Sequence, residues 1–171
     1  GDWAFFVESF TGGPAPLAVT DGTAGGTRVF ADLLPFVGSA EEGYEPVALS
    51  DRLVLAATLG VSAQLWGVIP TELVPEVLTS LVDAFPIRRL AAQAIGDRAL
   101  FVATLPAPPS DSRDHLFLSD GTAIGTIDVA VGCDAAGSCG IRDLGTMGGV
   151  AYFVVSDIGG TSLWRTNGTV P

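Results

Sequence analysis

The sequence predicts an all-β chain of repeated four-stranded antiparallel units, and three observations carry that prediction. First, "VTDGTAGGTRVF" (residues 19–30) returns ninety-nine positions later as "LSDGTAIGTIDV" (residues 118–129). Self-similarity at a fixed spacing marks a repeat architecture. Second, an apolar anchor before each such turn recurs at Leu17, Leu65, Leu116 and Leu163, at separations of 48, 51 and 47 residues. Third, two further series of short segments keep step with the anchors. One reads "DWAFFVES", "DRLVLAAT", "DRALFVAT" and "GVAYFVVS", starting at residues 2, 51, 97 and 149; the other reads "EPVALS", "LAAQAIG" and "LGTMGG", before the last three.

Each full unit therefore holds four short strands in roughly 40 to 50 residues, the sequence pattern of β-propeller blades. The expected fold is a propeller-like array of about three and a half repeats, part of a larger propeller. In sequence the repeats run approximately 1–50, 51–96, 97–148 and, in part, 149–171. If the long connections join units, each sheet begins with the "EPVALS"-type strand. The "DRLVLAAT"-type strand, the anchor strand and the strand after the turn follow it. The strands then number three, four, four and three.

The turn itself is legible. Asp21 and Asp120 can accept a backbone N–H, while Gly22 and Gly121 can take positive φ without a Cβ clash. With Thr23 and Thr122 they form the expected structural turn. Two-residue hairpins are expected at Gly96-Asp97 and Gly148-Gly149, with Ser50-Asp51 in the equivalent place. One stretch has two readings. In "PEVLTSLVDAF" (residues 75–85), Val77, Leu78, Leu81, Val82 and Phe85 form a helical stripe behind Pro75. In register the same residues match "TRVFADLLPF", and the retained repeat length favours a strand.

Composition sets the outer bounds. Hydrophobic residues make up 48% of the 171 and charged residues 16%, which excludes a disordered tail and allows one sizeable core. No apolar run approaches the ~20 residues of a membrane span. The chain opens at Gly1 with no charged-then-apolar leader, so a mature or excised segment is expected. Net charge is −11, and all eight bases are arginine. The absence of lysine excludes a Walker loop, a Schiff-base enzyme and most nucleic-acid surfaces.

Cys133 and Cys139 bracket "GCDAAGSCG", a spacing that fits neither a zinc site nor a redox C-x-x-C. A disulfide closing a small loop, and with it an oxidising compartment, is the favoured reading; two unpaired thiols is the other. His115 is the one histidine, beside Asp114 and Asp111. A hydrolase triad with Ser110 or Ser112 lacks the G-x-S-x-G elbow, so a solvated histidine at a strand entrance is expected. Glu41, Glu42 and Glu45, with Asp111 and Asp114, are the candidate oxygen ligands for calcium, but the EF-hand spacing is absent. A solvated acidic loop is the favoured reading of the glutamates. No other cofactor is expected.

"LAVTDGTAGGT", "LFLSDGTAIGT" and, in part, "SLWRTNGT" resemble the bacterial ELWxxDGT repeat family, and the register extends the likeness along the whole chain. Asn167 replaces the aspartate in the third, and "QLWGVIPT" nearly erases the motif. The family's glutamate is absent, with Pro16, Gln64, His115 and Ser162 in its place. The resemblance implies a propeller-like, non-enzymatic, exported protein and supplies no catalytic residues.

Two functional classes follow. The first is a non-catalytic secreted or cell-surface module that binds a protein or glycan, or acts as a scaffold. The second is a metal-dependent hydrolase or lyase on the same fold. Connections at one end of each unit vary in length, so a partner is expected there, near Glu41, Glu42, Tyr44, Glu45, Asp111, Asp114 and the Cys133–Cys139 loop. Incomplete terminal units predict flanking repeats or self-association through open edges.

Overall fold

The computed structural model describes residues 3–7, 17–30, 46–59, 62–72, 75–81, 91–107, 111–129 and 139–169. These residues form four antiparallel sheets, each made of strands consecutive in the chain. The first sheet holds β1 (Ala4–Val7), β2 (Leu17–Thr20) and β3 (Arg28–Phe30). The second holds β4 (Val47–Ala48), β5 (Leu53–Leu59), β6 (Ser62–Val68) and β7 (Glu76–Leu81). The third holds β8 (Ala91–Ile95), β9 (Arg98–Ala107), β10 (Asp111–Ser119) and β11 (Ile127–Val129). The fourth holds β12 (Gly140–Met147), β13 (Val150–Asp157) and β14 (Gly160–Thr166). The all-β class, the strand order and the grouping into three, four, four and three match the reading from sequence.

Pairing decides the ambiguous stretch: residues 76–81 are a strand. β7 runs antiparallel to β6 from Gly67↔Glu76 to Ala63↔Leu81, with a bulge at Leu65/Trp66. A helix here would leave the free edge of β6 without a ladder partner, and buried backbone groups must be paired. Period two replaces the helical stripe, burying Leu78 and leaving its neighbour Val77 exposed.

The core lies between sheets, in three layers that follow chain order. Leu17, Val19 and Phe30 of the first sheet pack with Leu53, Leu55 and Val68 of the second. Val54, Leu65 and Leu78 of the second meet Ala99, Phe101 and Phe117 of the third. Leu100, Val102, Leu116 and Leu118 of the third meet Ile141, Ala151, Phe153 and Val155 of the fourth. Alternation along each strand explains the sorting: Leu53 and Leu55 point to the preceding sheet, whereas Val54 points to the following one. Inner strands thus bury both faces, and Ala99 through Ala103 are all buried. β13 buries only Ala151, Phe153 and Val155, and its alternate residues are half-buried.

Candidate functional site

The repeated turn is built by one hydrogen-bond network. In the first sheet Asp21 Oδ1 accepts the Thr23 backbone N–H at 2.9 Å and the Thr23 hydroxyl at 2.7 Å. Thr23 Oγ1 in turn accepts the Gly26 N–H at 2.9 Å, and Thr27 Oγ1 donates to the Thr23 carbonyl at 2.8 Å. Residues Asp120, Thr122, Gly125 and Thr126 repeat every one of these bonds. The first glycine of the motif takes positive φ, 89° at Gly22 and 84° at Gly121. The second is required by space, because a Cβ on Gly26 or Gly125 would run into the carboxylate of Asp21 or Asp120. Asn167 starts the same turn, accepting the Thr169 N–H at 3.1 Å and its hydroxyl at 2.6 Å.

These bonds favour the ionised aspartates. The Thr23 hydroxyl, then the Thr23 N–H, hold Asp21 below its ordinary carboxylate value. At Asp120 the Thr122 hydroxyl is the main cause of a similar lowering, against a burial effect that raises it, with Arg98 and Arg52 adding attraction. The turn aspartates are therefore occupied as structural acceptors.

The turns also join sheets. Arg52 is the first residue after the Ser50-Asp51 loop, which the Leu49 N–H closes on the Arg52 carbonyl at 2.8 Å. Arg52 Nη1 donates to the Gly121 carbonyl at 3.0 Å. Its remaining nitrogens grip Asp51 in a two-pronged pair at 3.0 and 2.9 Å, which lowers the Asp51 carboxyl through that bond and raises Arg52. A Cβ on Gly67 would lie 2.6 Å from the same Gly121 oxygen, so the turn of the third sheet is seated on the second. Two more bonds run the same way: Arg28 Nη1 to the Thr71 carbonyl at 2.8 Å, and the Ala123 N–H to Glu76 Oε1 at 3.4 Å. Arg28 and Glu76 occupy equivalent places, each at the start of its sheet's last strand.

Asp114 turns out to be a fastener at the far end of the sheets. Its carboxylate accepts the Thr104 hydroxyl and, at 2.7 Å, the Ile141 N–H; its own N–H donates to the Cys139 carbonyl at 3.0 Å. With the Arg113–Cys139 backbone bridge, these bonds stitch β10 to β12 across the third and fourth sheets. Asp114 thus meets the chain at Cys139. Glu41, Glu42, Tyr44, Glu45 and Cys133 lie outside the described residues, and the Asp111 side chain does too. Among the described residues no three His, Cys, Asp or Glu side chains gather as a metal site. Cys139 is buried, and no free cysteine occurs among the described residues.

His115 has a partner that sequence reasoning missed. Its Nδ1 lies 2.7 Å from Asp128 Oδ2, on the neighbouring strand, and its ring stacks over Phe117. Both side chains of the pair are partly open to solvent, at 35% and 47% exposure, so they form a surface pair that is ionic when the imidazole is protonated. No helix among the described residues is long and apolar enough to cross a membrane. Comparison with protein families, curated proteins and solved structures returns no match for this chain.

Proposed function

We propose that the chain is a non-catalytic, propeller-like repeat module of a secreted or cell-surface protein, serving to bind a protein or glycan or to act as a scaffold. The observation that carries the reading is the stacking of four short antiparallel sheets in chain order, with the turns of the second and third sheets bonded to the sheet before them. That is how a radial array of blades is assembled, and the residues quoted above resemble the ELWxxDGT repeats. In the same reading Cys133 and Cys139 are bonded, which fits an oxidising compartment.

The described turns are taken up by internal hydrogen bonds, which directs binding to the opposite end of the sheets. The test is a solid-phase screen of the chain against glycans and cell-surface proteins. Partners should be lost when Glu41, Glu42 and Glu45 are changed to glutamine and the Cys133–Cys139 loop is replaced. A partner that survives both changes, yet is lost when the Asp21 and Asp120 turns are altered, overturns the assignment of the face. The alternative, a metal-dependent hydrolase or lyase on the same scaffold, would draw on the His115–Asp128 pair as its base. Metal-stimulated turnover of a glycan or ester substrate, abolished in His115→Ala, would favour it.

A further inference from the structure

We propose that copies of this chain stack head to tail, the fourth sheet of one copy receiving the turn and outer face of the first sheet of the next. The inference rests on the repeat-sheet reading above and takes it from a site to a self-assembly.

Within the chain, the second-to-third and third-to-fourth boundaries are each formed by a plug and a socket. The plug is the turn glycine of the following sheet. The socket includes the residue after the preceding sheet's first hairpin loop, joined at the second-to-third boundary by the position two beyond the anchor leucine. At the second-to-third boundary the plug is Gly121 and the socket is Arg52 with Gly67. At the third-to-fourth boundary the plug is Gly168, which packs on Arg98 and Ile95. Both of these plug glycines are buried.

The fourth sheet carries the same socket positions at Val150 and Arg165. There they line a pocket of ≈ 400 Å³, with Thr166 and Asn167. The arginine has moved from one half of the socket to the other: Val150 stands where Arg52 and Arg98 stand, and Arg165 stands where Gly67 does. One guanidinium is therefore still offered to an incoming turn carbonyl, and Arg165 is exposed. Below it, the face that in inner sheets packs on the next sheet presents Tyr152, Val154 and Leu163, and Leu163 is 73% exposed.

The complementary half sits at the other end of the same chain. Gly22 is exposed, and a Cβ there would meet nothing within 4 Å. The outer face of the first sheet shows Phe6 and Val29, at 44% and 55% exposure, on either side of Ala18. Phe6 matches Leu55 in β5 and Phe101 in β9, which are buried against a preceding sheet, whereas the equivalents of Val29, Val77 and Asp128, stay exposed at the rim. Charge agrees as well, with Asp21 beside the plug and Arg165 in the socket. A second copy supplies both missing halves in the register already used twice inside the chain. Such a contact is heterologous, so it extends or closes a ring rather than stopping at a two-fold dimer.

Leu163→Asp disables the socket face and Phe6→Asp the plug face; both side chains are exposed, so folding should be unaffected, as circular dichroism and thermal melting will show. In sedimentation velocity up to about 100 μM, the wild-type chain should gain mass in whole-chain steps. Each variant alone should be monomeric, with association weakened by about tenfold or more. An equimolar mixture should recover dimers and nothing larger, since one plug and one socket remain. Arg165→Glu should act like Leu163→Asp. A wild-type chain that stays monomeric with an intact β spectrum overturns the stacking while leaving the repeat-sheet reading in place. Association that persists in either variant alone, or a mixture that fails to restore it, also overturns the stacking. Loss of the β spectrum in the wild-type chain would instead count against the repeat-sheet reading itself.

Discussion

Arg52 Nη1 lies 3.0 Å from the Gly121 carbonyl oxygen and donates to it across the boundary between the second and third sheets. The side chain is 16% exposed, so the bond is made largely out of water, where a charged donor contributes more than on an open surface. Arg52→Ala should lower unfolding free energy by about 1–3 kcal/mol. Arg52→Lys should rescue little, because one ammonium cannot hold Asp51 and Gly121 together in the fork geometry. Urea unfolding of the three proteins checks both statements.

Acid should loosen the turns. Asp120 and Asp21 are held below their ordinary values by threonine hydroxyls and N–H groups that bond the carboxylate. A lowered folded-state value means the stabilisation is complete above the unfolded value, about pH 4, and is lost as pH falls through the folded one. Melting temperature should therefore drop through that acidic range. Asp120→Asn should shallow the drop while keeping the turn, since Asn167 already accepts the same two bonds in the fourth sheet. An unchanged acid slope in Asp120→Asn would contradict this.

The second glycine of the motif should be intolerant of a methyl group. Gly125→Ala drives a Cβ into the Asp120 carboxylate and should cost about 1–3 kcal/mol. Gly25→Ala, one residue before the equivalent Gly26, meets nothing within 4 Å and should stay within about 0.5 kcal/mol of wild type. Thermal denaturation of the pair separates close packing from general glycine effects.

Asp114 should prove structural. Asp114→Ala strands the Ile141 N–H and the Thr104 hydroxyl and removes a tie between the third and fourth sheets. We expect a loss of about 1–3 kcal/mol and faster hydrogen exchange at Ile141. Glycan or protein binding unconnected to this loss of stability would argue that Asp114 also contacts a partner.

The strands were legible because the repeat supplies its own alignment: Leu17, Leu65, Leu116 and Leu163 fix the register of everything around them. Contacts between units were not legible. Arg52 and Gly121 are 69 residues apart, and nothing local at either one names the other. His115 finds Asp128 through strand register rather than spacing, which a search for a nearby serine could not reveal. Residues 76–81 carry an apolar stripe that suits a helix, and only the free edge of β6 settles the matter. The Ile158-Gly159 hairpin between β13 and β14 was not read from the sequence either; Asp157 Oδ1 accepting the Gly159 N–H at 2.7 Å is its local signal.

The three core layers each join neighbours in the chain, and the turn contacts run from one sheet to the next. Stability in such an array approaches a sum of unit and nearest-neighbour contributions. Tandem duplication of one unit would copy a boundary that already works and leave the other boundaries intact. Copy number can therefore change by whole units while each junction is inherited unaltered, and the Gly67, Leu118 and Arg165 positions can diverge one unit at a time.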